Sequence, residues 1–358
     1  MNGEEYLFYA TFIPGLQDYI AGVIKERLSD AKIHKLLEGA VLFETGTSYD
    51  KLNFFCFNNI FAVINVLEEV HTKTRRFTGR AENGERGINI IEDHINIIIK
   101  NQSAVNFNLV IRNCRKFNTF RVVASCENAP AAINSKLRAD VEKYLSRKSG
   151  LNVNRSLPDT EFWFLYRSEG FSLFMKRLTL RSSWEKTLHK GELPPPLAWT
   201  LCRLAGLKHT DTVLDPFCGY GSIPGAALKH FHINNFIACD NNRKAAAFTI
   251  NRFKNRKTEN FIFYNADFSE LPSFIKEKSV DAVVTDPPWG MFKEAKDSFF
   301  AEKMFDVFLR LLKDGGRAVV LYANDGSLQK AVPSCFETQA SIPILLSGKK
   351  AVIYLLKK

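Results

Sequence analysis

Between residues 212 and 290 four short apolar runs each end in an aspartate. Thr212-Val213-Leu214 precedes Asp215, Asn235 to Cys239 precedes Asp240, Asn260 to Ala266 precedes Asp267, and Val280 to Thr285 precedes Asp286. Apolar runs of this length, separated by helical sequence, fit the strands of an open, doubly wound parallel sheet. Ligands in such sheets sit beyond the carboxyl ends of the strands, so the four acids would share one edge. Each acid has an ordinary alternative as a helix N-cap, a position that aspartate favours. The series therefore constrains the fold before it says anything of chemistry.

The first run leads into Pro216-Phe217-Cys218-Gly219-Tyr220-Gly221-Ser222-Ile223, and Pro224 to Phe231 reads as a helix. Glycines at 219 and 221 let the backbone approach a ligand, and the helix behind them offers unpaired N–H groups to a carboxylate or phosphate. The third glycine of the dinucleotide fingerprint is missing, which disfavours nicotinamide or flavin binding.

The last run leads into Asp286-Pro287-Pro288-Trp289-Gly290. Two consecutive prolines fix φ and carry no N–H, leaving the Asp286 and Pro287 carbonyls to accept bonds from another group. A planar base with an exocyclic amine would set that amine against the Asp286 carboxylate and these carbonyls while its ring stacks on Trp289. The bland counterpart is a strand-to-loop turn beside a buried tryptophan.

In this order, Asp215 to Pro224, Asp240, Asp267 and Asp286 to Gly290 resemble the class I S-adenosylmethionine-dependent methyltransferases that modify exocyclic amines of nucleobases. The resemblance implies that Phe217, Cys218, Gly219 and Gly221 hold the methionine moiety of the cofactor and that Asp215 lies near its amino group. It further implies that Asp240 and Asn241 meet the ribose, Asp267 and Phe268 the adenine, and Asp286, Pro287, Pro288 and Trp289 the target base. Tyr220 and Ser222 stand where the family often carries smaller or hydroxylated residues.

The rest of this half agrees with a Rossmann-like methyltransferase sheet closed by an antiparallel hairpin. Ser298 to Lys313 reads as a helix with Phe299, Met304, Phe305, Phe308, Leu311 and Leu312 on one face, stopped by Asp314-Gly315-Gly316. Arg317 to Tyr322 reads as a strand, and Ser341 to Leu346 and Ala351 to Leu356 as a hairpin about Ser347-Gly348.

At 358 residues the chain exceeds what one such sheet needs. The amino-terminal half reads as two α+β units. The first follows β-α-β-β-α-β, the ferredoxin-like pattern, with strand Tyr6 to Ile13, helix Leu16 to Leu28, strand material over Lys32 to Glu44, helix Tyr49 to Phe57 and strand Phe61 to Leu67. The second has helix Gly87 to Lys100, strands Phe107 to Ile111 and Phe120 to Ser125, helix Ala129 to Lys148, and strands Glu161 to Tyr166 and Phe171 to Leu178. Thr119-Phe120-Arg121-Val122 and Asn154 to Trp163 resemble the THUMP domain, an RNA-binding module preceded by a ferredoxin-like unit. A THUMP-like half joined to an Asp-Pro-Pro-Trp half is the combination of RNA guanine-N2 methyltransferases, and it implies an RNA partner, tRNA foremost. The expected division is 1–70 ferredoxin-like, 71–178 THUMP-like, 179–196 linker, with Pro194-Pro195-Pro196 stiffening its end, and 197–358 methyltransferase.

A net charge of +11, spread over both halves, suits a phosphate backbone. Arg75, Arg76, Arg80, Arg121 and Arg177 are the candidate RNA contacts. Among the seven cysteines no Cys-x-x-Cys pair occurs, and the seven histidines form no ligand-spaced cluster, so a reduced, metal-free, cytoplasmic protein is expected. No run of ~18 apolar residues offers a membrane span. A small activating subunit and the oligomeric state leave no mark in the sequence. The alternatives are an N6-adenine RNA methyltransferase, since either amine suits the same acceptors, an rRNA guanine-N2 methyltransferase, and a non-enzymatic RNA-binding protein with a relic pocket. A protein glutamine methyltransferase would usually carry Asn in place of Asp286 and has no use for a THUMP-like half.

Overall fold

A computed structural model describes residues 5–68, 83–100, 110, 117–127, 129–179, 188–254, 260–288, 297–323 and 326–358. The chain divides into two compact units, one of Met1–Thr11, Asp18–Asn53 and Asn58–Ser182, the other of Phe12–Gln17, Phe54–Phe57 and Ser183–Lys358.

The first unit is built on one nine-stranded sheet. Its strands are β1 (Tyr6–Thr11), β2 (Lys32–Leu37), β3 (Ala40–Thr45), β4 (Asn59–Glu68), β5 (Thr119–Cys126), β6 (Ala129–Pro130), β7 (Asn152–Val153), β8 (Thr160–Arg167) and β9 (Phe171–Arg177). The order is β2-β3-β1-β4-β9-β8-β5-β6, with β7 on β5, and antiparallel pairing of β4 with β9 joins the two expected α+β modules into a single sheet. Phe162, Phe164, Phe171 and Phe174 on the central strands are fully buried.

Two expectations here are corrected. No helix forms over Tyr49 to Phe57. Local bonds offer that backbone an alternative to a helical ladder: Lys51 N–H donates to the Ser48 carbonyl at 3.0 Å, the Ser48 hydroxyl to Asp50 at 2.7 Å, and Arg27 takes the Asn53 carbonyl at 2.8 Å. The helix expected from Ala129 begins at Ser135 instead, because Asn134 caps it, accepting the N–H groups of Lys136 at 2.9 Å and Leu137 at 3.2 Å. The expected strand Phe107 to Ile111 lies outside the described residues apart from the buried Val110, which is helical rather than extended.

The second unit carries a seven-stranded sheet of β10 (Thr212–Asp215), β11 (Asn235–Cys239), β12 (Phe261–Tyr264), β13 (Val280–Thr285), β14 (Leu312–Ala323), β15 (Glu337–Leu346) and β16 (Lys349–Lys357). Its order is β12-β11-β10-β13-β14-β16-β15, with β10 to β14 parallel and β16 antiparallel to both neighbours. Ser347 and Gly348 both take positive φ, +49° and +78°, which is what a two-residue hairpin turn matched to strand twist requires. The strand order reverses at β10 and β13, which places a crevice at their carboxyl ends.

Helix Asp297–Leu311 covers this sheet with Ala301, Met304, Phe305, Phe308 and Leu311, all fully buried at helical spacing. Phe299, expected on that face, is 69% exposed. It precedes Met304 by five residues, about 140° out of phase with the stripe. The helix also stops earlier than expected, since Leu312 already pairs with Val280. The residues between it and Arg317, which pairs with Ala282, bulge out of register, with Gly315 at φ +76°.

Candidate active site

Because β10, β11 and β13 run parallel, Asp215, Asp240 and Asp286 lie together at one edge of the sheet. Asp215 ends β10 and is 1% exposed. Its Oδ1 accepts the Thr285 hydroxyl at 2.7 Å and the Phe217 N–H at 3.2 Å, while its Oδ2 is buried with no partner among the described residues. Burial, reinforced by the nearby Asp286 and Asp240 carboxylates, pushes its pKa up to about 8.

The glycine turn is fixed from several sides. Gly219 and Gly221 adopt φ of +51° and +80°, and a Cβ on Gly221 would lie 3.1 Å from both Thr249 and Phe253. Cys218 N–H donates to the Cys239 carbonyl at 2.9 Å, Gly219 N–H to Asp240 Oδ2 at 2.8 Å, and the Thr249 hydroxyl to the Gly219 carbonyl at 2.8 Å. Helix Ser222–His230 starts directly behind Gly221 with no side chain capping it, so its first N–H groups are open to a ligand.

The next two acids both make the local cap that aspartate favours. Asp240 Oδ1 accepts the Asn242 N–H at 2.8 Å, a local cap, while Oδ2 holds the glycine turn. Asp267 caps a short 3₁₀ helix, Phe268–Glu270, in a capping box: it accepts the Ser269 N–H at 3.0 Å, and its own N–H donates to Glu270 at 3.0 Å. Burial alone would raise the Asp267 pKa, but hydrogen bonds from Ser269 and the Lys303 charge outweigh it and hold the carboxyl below its usual range. Asn241 reaches Asp267 Oδ2 at 3.5 Å.

Phe268 is 7% exposed and packs against Phe217 at 4.9 Å between ring centroids, with Phe300 at 5.4 Å from Phe268 and 5.6 Å from Phe217. An unpartnered buried carboxylate oxygen, an uncapped helix start and this aromatic wall suit a cofactor with an amino-acid end and a flat base. The residues present thus fit S-adenosylmethionine.

Asp286 follows β13 directly and is half-buried, and Pro287 is buried. Trp289 and Gly290 lie outside the described residues, as do Arg75, Arg76 and Arg80. Arg121 and Arg177 belong to the first unit and are engaged there by one carboxylate, Glu161, which Arg121 bonds through Nη2 and Arg177 through Nη1 at 3.3 Å. Arg177 is only 8% exposed, so it builds the module from within rather than standing on its surface. Among the described residues no group of three or more His, Cys, Asp or Glu could hold a metal ion, and no helix is long and apolar enough to cross a membrane.

Thr285 is the site residue that sequence reasoning missed. It is fully buried, and its hydroxyl joins the β10 acid to the β13 turn. The available signal is a hydroxyl that follows the apolar run Ala282-Val283-Val284, next to the first residue of the proline turn.

Residues 182–341 match the UPF0020 family, described as an RMKL-like methyltransferase domain. The chain is 28% identical over 249 residues to the tRNA (guanine(6)-N2)-methyltransferase of Thermus thermophilus, covering 67% of this chain and 72% of that protein. It is 35% identical over 131 residues to a Methanothermococcus thermolithotrophicus protein named as a tRNA (guanine(10)-N2)-dimethyltransferase, covering 34% of this chain and 76% of the relative. The crystal structure of TrmN from Thermus thermophilus shares the fold, with a TM-score of 0.74 at 21% identity over 99% of each chain. Fold and site together define a class I S-adenosylmethionine-dependent methyltransferase. The chain belongs to the THUMP-containing guanine-N2 RNA methyltransferase family.

Proposed function

We propose that this chain methylates the exocyclic N2 amine of a guanosine in structured RNA, with tRNA as the substrate class. The observation that carries this reading is the Thr285 to Asp215 hydrogen bond, which holds the amine-accepting turn against the glycine turn on neighbouring parallel strands. S-adenosylmethionine, when bound, would supply an electrophilic methyl group. Asp215, the glycine turn and the N-terminus of helix Ser222–His230 would hold its amino-acid end, Asp240 and Asn241 the ribose, and Asp267 and Phe268 the adenine.

The guanine N2 lone pair is delocalised into the ring. The Asp286 carboxylate and the Pro287 carbonyl would accept its two N–H bonds, favour the pyramidal nitrogen and stabilise the positive charge that grows as the new N–C bond forms and the methyl–sulfur bond breaks, the thioether S-adenosylhomocysteine leaving with the bonding pair. Because the alkylated amine is acidic, its proton can pass to solvent, and Asp286 need not be a strong base. Orientation of the base supplies much of the remaining acceleration, and Trp289 takes the stacking role on sequence grounds. The names of the relatives support guanine N2 as the target and tRNA as the substrate.

Nucleoside profiling of total RNA from a strain lacking the protein tests this. Loss of N2-methylguanosine from tRNA is expected. Loss of N6-methyladenosine would overturn the base assignment, and loss of N2-methylguanosine from another RNA would overturn the substrate class.

A further inference from the structure

The segment just before helix Pro195–Leu204 reaches back to the glycine turn through one buried carboxylate. Glu192 is 8% exposed at its side chain. Its Oε1 receives the Ser222 hydroxyl at 3.2 Å and Arg252 Nη1 at 3.2 Å, and its Oε2 receives the His189 N–H at 3.1 Å. The same Ser222 hydroxyl lies 3.0 Å from the Leu193 carbonyl, and Arg252 Nη1 also donates to the Tyr220 carbonyl at 3.0 Å. The His189 ring stacks on Tyr220 with centroids 4.0 Å apart and planes 12° from parallel, and Phe248 closes edge-on at 4.7 Å from His189. Tyr220 and Ser222 flank Gly221, whose +80° φ sets the bend of the turn.

From these contacts we infer that Glu192, with Arg252, is a positioning residue for methyl transfer: residues 189–193 form a strap that holds the glycine turn in its cofactor-binding shape. This rests on the reading of that turn as the cofactor loop. A turn built on two left-handed glycines has many alternative conformations. Holding it before the ligand arrives removes an ordering cost from binding, so loosening the strap should weaken cofactor affinity more than it slows the chemical step. The carboxylate is suited to this part. One oxygen gathers the helix start and the Arg252 charge, while the other turns back to fix its own loop.

Titration calorimetry with S-adenosylhomocysteine on the full chain tests the strap. Glu192→Gln and Arg252→Ala should each raise the Kd about tenfold, and the double variant should be no weaker than about the worse single one, because both remove one linked pair. Arg252→Lys keeps the charge and should recover most of the affinity. In turnover assays the KM for the cofactor should rise by a larger factor than kcat falls. Arg252 is 35% exposed at its side chain, so its variants keep the test alive if the Glu192 variant does not fold. Wild-type affinity in folded variants, or strictly additive losses, would overturn the inference. Failure of the unaltered chain to bind would overturn the cofactor-loop reading itself.

Discussion

If Asp215 meets the cofactor's amino group as proposed, cofactor binding should release a proton. With its pKa pushed up to about 8 by burial, Asp215 is about nine-tenths protonated at pH 7 in the unliganded protein. An ammonium group placed at its unpartnered oxygen favours the anion. If that contact returns the carboxyl to its ordinary range, binding at pH 7 releases nearly one proton. The logarithm of the association constant should then climb by nearly one unit per pH unit between pH 6 and 7.5, about 1.4 kcal/mol for each. Stability of the unliganded fold runs the other way. Between the ordinary carboxyl pKa near 4 and the folded value of about 8, the native state holds more protons than the unfolded chain, so stability falls as pH rises through that window and levels above it. Calorimetry of S-adenosylhomocysteine binding at pH 7, in buffers of different ionisation enthalpy, counts the proton directly. Asp215→Asn should bind more weakly, release none and lose the slope, and it subtracts any contribution from the ligand's own amine. Tight wild-type binding with no proton released at pH 7 would refute the argument.

Asp286→Ala should cut methylation at least about a hundredfold while cofactor affinity largely survives; near-normal turnover in single-turnover assays would remove Asp286 from the site. Thr285→Val deletes a buried hydroxyl bonded to a carboxyl and should cost about 1–3 kcal/mol in denaturant unfolding, with Thr285→Ser keeping most of it; equal stability of all three proteins would show that the bond does not tie the two strand ends. His94, fully buried between Ser172 at 2.9 Å and Asn65 at 2.8 Å, has its pKa pushed by burial down to about 3. The unfolded chain therefore binds the extra proton below pH 6.5, and stability should fall on acidification by up to about 1.4 kcal/mol per pH unit, a slope that His94→Gln should flatten in melts of the first unit.

What could be read from the sequence follows from the kind of interaction that decides each feature. The central strands β10, β11 and β13 of the second unit are largely apolar runs whose burial dictates them, and β11 and β13 lie within the expected limits, Asn235 to Cys239 and Val280 to Thr285. The helix over Tyr49 to Phe57 failed because local hydrogen bonds at Ser48 and a bond from the distant Arg27, not periodicity, set that backbone. Phe299 failed on phase alone. The single sheet of the first unit depends on β4 meeting β9, more than a hundred residues later in the chain, and no local pattern encodes that partner.

At the site, the sequence poses a choice between cap and ligand for each acid, and a cap on one oxygen leaves room for other partners. A carboxylate has two oxygens and about four acceptor positions. Asp240 spends one oxygen on Asn242, as a cap would, and the other on Gly219, and the second bond is what draws the glycine turn against the end of β11. Asp267 caps its short helix and thereby seats Phe268 beside Phe217. Capping is thus how these acids build the pocket, and their remaining lone pairs are what a ligand would meet. Asp215 goes further, buried and with one whole oxygen unpartnered among the described residues.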